Sequence, residues 1–130
     1  MATVLIIDDH EDVRDALSSV LQDAGYTALE AEDGLAGLEA AAISRPDVIL
    51  LDIAMPGIDG LETLRRLKAR QDTRLIPVVI VTANGSREFM VTAVQYGTRD
   101  YICKPWEDGE VEMVVRWALN SSKKAQLAAA

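Results

Sequence analysis

Charged side chains stand at the ends of apolar runs in this chain. Asp8-Asp9 follows Thr3–Ile7, Asp52 follows Val48–Leu51, and Lys104 follows the short run Asp100–Cys103. Thr82 closes a further run, Ile76–Val81. Carboxylates gathered in one pocket repel one another and stay ionised only beside a cation. Lys104 can supply one positive charge. A Mg²⁺ ion supplies more, and carboxylate oxygens and water are its preferred ligands. A threonine hydroxyl and an ammonium are donors suited to a third party with negative oxygens. The set could therefore hold a metal ion and a phosphoryl group, with a carboxylate as nucleophile. Taken alone, Asp52 reads equally well as a solvated aspartate at a strand end.

These residues can meet only if the elements carrying them place the strand ends together. After the first strand, Val13, Ala16, Leu17, Val20, Leu21 and Ala24 have helical spacing, and Gly25 ends the pattern. Tyr26–Ala31 reads as a second, more exposed strand. Leu35, Leu38 and Ala42 mark a second helix that Pro46 terminates. The apolar run before Asp52 is short and unbroken, as in a strand buried on both faces. Met55-Pro56-Gly57 and Asp59-Gly60 then break the chain. Leu61, Leu64 and Leu67 mark a third helix. Ser86 is a candidate cap for a fourth, carrying Phe89, Val91, Ala93 and Val94 and ending at Gly97. Val111, Val114, Val115, Ala118 and Leu119 line one face of a fifth. Strands alternating with helices indicate an α/β fold with a doubly wound parallel sheet. In the order 2-1-3-4-5 the switch point falls between strands one and three, where the aspartates would meet.

Composition narrows the function classes. The 130 residues suit one domain with a real core, and 49% apolar with 26% charged residues is a globular profile. A net charge of −8 argues against direct binding of nucleic acid or of an anionic membrane by bulk electrostatics. The single cysteine, Cys103, allows no internal disulfide and suits a reducing compartment. No signal-peptide start and no bilayer-length apolar run are present, so a cytoplasmic location is expected. The tail SSKKAQLAAA reads as the end of the fifth helix or the start of a linker, which sets residues 1–122 as the domain and 123–130 as that tail.

Taken together, Asp8-Asp9, LLDIAMPGIDG, Thr82-Ala83 and DYICKP, in this order, resemble the receiver domain of two-component response regulators. The resemblance spans about residues 3 to 120. It implies a flavodoxin-like (βα)5 sandwich and a phosphorylation-activated switch. Asp52 would be the phosphoacceptor. Asp9, Asp52 and the backbone carbonyl of Ala54 would bind Mg²⁺, with Mn²⁺ as an alternative, and Asp8 would act through a metal-bound water. Lys104 would pair with Asp52 and then with a phosphoryl oxygen. Thr82 and Ala83 would also bind the phosphoryl group, and Thr82 with Tyr101 would form the conformational switch. Pro105 resembles the family's cis-peptide proline. The implied partners are a histidine kinase or phosphotransfer protein and a downstream effector protein or domain, with the chain a monomer or a phosphorylation-dependent dimer. The signalling face would be the fourth helix, fifth strand and fifth helix, with Phe89, Met90, Val94, Trp106, Met113 and Trp117 as candidates.

Plainer readings stand beside these. Tyr101 and Thr82 also suit ordinary strand positions, and Trp106 and Trp117 also read as packing residues. Cys103 reads as a small core residue. His10 reads as a solvent-facing helix start, with tuning of access to the acidic pocket as its other reading. A phosphatase of the haloacid dehalogenase type would need an Asp-x-Asp pair, whereas Ile53 and Ala54 follow Asp52. An interaction domain that keeps the fold without phosphorylation is the remaining alternative.

Two departures from the family pattern stand out. Thr98 replaces a more usual alanine, and Ala54 and Asn84 occupy positions that flank the path of the hydrolytic water. Alanine at 54 has no side chain to orient that water. The aspartyl phosphate is therefore expected to outlast the seconds scale in Mg²⁺; loss of phosphate from the adduct within seconds would contradict this.

Overall fold

The computed structural model describes residues 2–53, 55, 57–83 and 87–129, without the side chains of 87–89 and 123–129. Five strands and five helices alternate: β1 (Thr3–Ile7), α1 (Glu11–Asp23), β2 (Thr27–Ala31), α2 (Gly34–Ser44), β3 (Val48–Leu51), α3 (Gly60–Ala69), β4 (Val78–Thr82), α4 (Arg87–Gln95), β5 (Asp100–Cys103) and α5 (Glu110–Ala129). The strands form one parallel sheet in the order β2-β1-β3-β4-β5.

Alternate side chains of the central strands enter two cores. Leu5, Ile7, Ile49, Leu51, Val78 and Ile80 face α2, α3 and α4, meeting Leu38, Ala41, Leu64, Leu67 and Ala93. Val4, Ile6, Val48, Leu50, Val79, Val81 and Ile102 face α1 and α5, meeting Leu17, Leu21, Val111, Val114, Val115 and Ala118. Burial on both faces is why β1, β3 and β4 read as unbroken apolar runs.

The helices depart from the sequence pattern in instructive ways. Leu35 is 61% exposed, and α2 instead buries Gly34, Gly37, Leu38 and Ala41. A Cβ on Gly37 would lie 2.5 Å from Ile7 Cδ1. The glycines thus bring the α2 backbone down onto the sheet, and the buried face shifts away from the leucine. In α1, Ser18 is buried where Ala16 is exposed, its hydroxyl donating to Glu30 Oε2 at 3.1 Å. In α4, among the described side chains of the named apolar residues, Ala93 is buried while Val91 and Val94 lie on the surface. Ser86, the candidate cap, and the Phe89 side chain lie outside the described residues.

Cys103 is exposed, contrary to its reading as a core residue. It belongs to β5, an edge strand, where only Ile102 turns inward. Trp117 is also exposed, whereas Trp106 is half-buried against the α1/α5 core. Thr98 is accommodated as a tie. Its hydroxyl lies 2.9 Å from the Val78 carbonyl oxygen and 3.1 Å from that of Asp100, bridging the starts of β4 and β5.

The start of α3 fixes the chain that follows Asp52. Asp59 Oδ1 caps the helix by accepting from Glu62 N at 2.8 Å. Gly60 N donates to the Ile53 carbonyl at 2.8 Å. A Cβ on Gly60 would collide with the Asp52 carbonyl oxygen and Ile53 Cα, both backbone atoms. Gly60→Ala is expected to cost roughly 1–3 kcal/mol through overpacking, read as a lower urea midpoint; an unchanged midpoint would contradict this contact.

Lys68 of α3 anchors the entry to β4. Its Nζ donates to the Ile76 carbonyl at 2.7 Å and the Arg74 carbonyl at 3.2 Å. Burial pushes its pKa down from 10.5 to about 8, and the charge of Arg99 adds to that. Between pH 8 and 10.5 the unfolded chain holds a proton that the folded chain has released. Unfolding takes up a proton in that window, so stability from this residue rises with pH there. In urea titrations the stability of the wild type relative to Lys68→Met should increase from pH 8 toward 10.5; a constant difference would contradict the shift.

Candidate functional site

Register assembles the site. Ile7 of β1 stands opposite Leu51 of β3, so the next residues, Asp8 and Asp52, leave the sheet side by side. Asp52 N donates to the Ile7 carbonyl at 3.0 Å, and Asp8 N to the Ala31 carbonyl at 3.1 Å. On the other side Thr82 of β4 pairs with Cys103 of β5, and Lys104 N donates to the Thr82 carbonyl at 2.9 Å. The four strand ends therefore present carboxylates, a hydroxyl and an ammonium at one edge of the sheet, where open α/β sheets bind ligands.

Asp8 and Asp52 are buried, at 1% and 4% exposure, and Thr82 is wholly enclosed. Lys104 Nζ lies 2.8 Å from Asp8 Oδ2 and 3.4 Å from Asp52 Oδ2. The resemblance implies a pair between Lys104 and Asp52; the lysine lies between the two carboxylates and closer to Asp8. The Lys104–Pro105 bond is cis, as the resemblance implies. Arg14 of α1 braces the end of β1, its Nη1 donating to the Asp8 carbonyl at 2.7 Å.

The residues fit a divalent cation. Asp8, Asp9, His10 and Asp52 each offer one ligand atom, all within 4.8 Å of one another. Asp9 Oδ1 is shut off from solvent and, among the described residues, accepts no hydrogen bond. A buried carboxylate oxygen without a donor is costly unless a cation faces it. Asp8, Asp9 and Asp52 could hold Mg²⁺ through oxygens, its usual ligand chemistry.

His10 stands both at the start of a helix and at the acidic pocket. It precedes α1 as its N-cap, and its side chain is 60% exposed, as a solvent-facing helix start would be. Its ring nevertheless turns onto the site, with Nδ1 3.2 Å from Asp8 Oδ1 and 3.1 Å from Asp9 Oδ1. The hydrogen-bond geometry is satisfied toward Asp8, and the Asp9 contact is proximity alone. The only advance signal was its position directly after two aspartates.

Tyr101 is not part of this cluster. It lies on β5 with its side chain 48% exposed. Ala83 follows Thr82 and is exposed. Ala54, the implied carbonyl ligand, and Asn84 lie outside the described residues.

Comparison with known proteins agrees with this geometry. The family model for the response regulator receiver domain matches residues 4–116. Protein PilH of Pseudomonas aeruginosa is 38% identical over 108 residues, covering 83% of this chain and 89% of PilH. The DNA-binding transcriptional regulator NtrC of Escherichia coli is also 38% identical, over 95% of this chain but 26% of NtrC, so the chain spans about a quarter of that relative. Among solved structures, a putative response regulator from Chloroflexus aurantiacus superposes with a TM-score of 0.87 at 32% identity, covering 92% of this chain and 98% of that one. NtrX from Brucella abortus gives a TM-score of 0.91 at 32% identity, covering 98% of this chain and 29% of NtrX.

Proposed function

Because the chain belongs to the receiver domains of response regulators, we propose that it is a two-component switch that accepts a phosphoryl group on Asp52 from a histidine kinase, a phosphotransfer protein or a small phosphodonor. The supporting observation is the meeting of Asp52 with Lys104 Nζ, 3.4 Å away, at a sheet edge that also carries Asp8 and Asp9. In the transfer an Asp52 carboxylate oxygen attacks phosphorus. The bond from phosphorus to the donor's leaving atom breaks, an imidazole nitrogen in a phosphohistidine or the acetate oxygen in acetyl phosphate, and that atom keeps the electron pair. The chain supplies this chemistry to itself, both in gaining the phosphoryl group and in losing it to water.

The surrounding residues hold the charge that develops. The Lys104 ammonium moves from the carboxylates to a phosphoryl oxygen. The Thr82 hydroxyl donates to a second oxygen, and the Ala83 backbone N–H to a third. Asp8, Asp9, Asp52 and the Ala54 carbonyl are the residues that would hold Mg²⁺ or Mn²⁺, which supplies charge compensation for an added charge of roughly −2.

The phosphoryl group shifts a population only if the two conformations bind it unequally. Movement of Thr82 toward it would open room for Tyr101 to turn inward from its exposed position. The readout would be the face formed by α4, β5 and α5, where Val91, Val94, Tyr101, Met113 and Trp117 are exposed. An effector protein or domain, or a second phosphorylated copy, would read that face. Residues 1–122 would form the receiver unit, with 123–130 as helix end or linker. Nothing in this segment favours direct nucleic-acid contact at a net charge of −8. Among the described residues no helix is long and apolar enough to cross a membrane.

Intact mass after incubation with acetyl phosphate tests the reading. A single phosphoryl adduct is expected that requires Mg²⁺ and is lost in Asp52→Asn. A folded protein that forms no adduct under any of these conditions would favour an interaction domain working without phosphorylation.

A further inference from the structure

We propose that His10 is a fourth side-chain donor of the cation site, joining Asp8, Asp9 and Asp52 through Nδ1 and biasing the site toward borderline transition-metal ions over Mg²⁺. This rests on the cation-site reading above and adds to it the choice of metal.

Three observations carry the inference. First, His10 Nδ1 lies among the carboxylate oxygens, 3.1 Å from the undonated Asp9 Oδ1 and 3.2 Å from Asp8 Oδ1. Second, all four ligand atoms lie within 4.8 Å of one another. Ligands at about 2.1 Å from an ion stand at most about 4.2 Å apart across it, so a contraction of roughly half an ångström would close the set. Third, the ring can make that movement. It sits at the N-cap of α1 with most of its side chain in solvent, and its backbone is fixed by its own N–H donating to Asp8 Oδ1 at 2.9 Å.

The chemistry gives the bias its direction. Oxygen-only sites suit Mg²⁺, whereas an imidazole nitrogen suits Zn²⁺ and its first-row neighbours. A proton on Nδ1 would let the ring donate to the Asp8 carboxylate, which only accepts. With an ion bound, the proton sits on the other ring nitrogen and the Nδ1 lone pair becomes the ligand. Mg²⁺ bound by the carboxylates alone needs no such exchange and leaves the ring where it is.

Calorimetric titration with Mg²⁺ and with Co²⁺ separates the contributions, using wild type, His10→Ala and His10→Gln. Visible absorption of bound Co²⁺ gives an independent readout. Both variants should bind Co²⁺ roughly 10-fold or more weakly than wild type, the scale on which lost metal-site partners act. Mg²⁺ affinity should change by less than about 3-fold, and the Co²⁺ spectrum should change in both variants. His10→Gln keeps a side-chain donor for Asp8, so wild-type Co²⁺ affinity in that variant would reduce His10 to a hydrogen-bonding role and overturn the proposal. Equal losses for both ions, or no loss for either, would overturn it too. A wild-type protein that binds neither ion would refute the cation-site reading itself.

Discussion

Parallel strands that end in register at one edge of the sheet force Asp8 and Asp52 together, and Asp9 follows them. Side by side in a water-poor pocket, such charges repel with an energy that grows as the local dielectric falls. Much of the local structure answers that constraint. Lys104 arrives from the far edge of the sheet and lies between two of the carboxylates. The His10 backbone N–H donates to Asp8 Oδ1, and among the described residues Asp9 Oδ1 is buried without a hydrogen-bond partner. Under the proposed function, a divalent cation would add to this compensation and help the site accept a phosphoryl group.

The sheet can carry this burden because its centre is closely packed on both faces. β1, β3 and β4 are buried throughout apart from Thr3, and Gly37 and Gly60 let helix backbones approach strand side chains and loop backbone without intervening atoms. The site thus rests on rigid strand ends. The groups assigned to readout lie instead at the less buried β5 edge, where Tyr101 and Cys103 reach solvent. A closely packed centre and a less buried edge would suit the proposed population shift.

Much of this was legible in the sequence, for physical reasons that also explain the misses. The unbroken apolar runs of β1, β3 and β4 reveal two-faced burial, and the residue after each run names a site position. That reasoning placed Asp8, Asp9, Asp52, Thr82 and Lys104 correctly at one edge. It failed where packing depends on what is absent from a side chain. Leu35 helps to mark α2 as a helix by its spacing, but the glycines of α2 decide which face approaches the sheet. Cys103 was assigned to the core because its strand is apolar, but an edge strand buries only one side. His10, directly after two aspartates, reads as a helix start or as a residue at the acidic pocket, and periodicity does not choose between these. The preference of Lys104 for Asp8 over Asp52 likewise rests on distances of 2.8 and 3.4 Å that no pattern encodes.

The account turns on charge crowding at Asp8, Asp9 and Asp52, and unfolding measured with and without Mg²⁺ on wild type and Asp9→Asn tests it most directly. Removing one charge should relieve repulsion, so without divalent cation the variant should be more stable than wild type by roughly 1 kcal/mol. Mg²⁺ should stabilise the wild type progressively with concentration and the variant much less. A variant less stable than wild type without cation, together with equal stabilisation of both proteins by Mg²⁺, would contradict the claim that carboxylate repulsion organises this site.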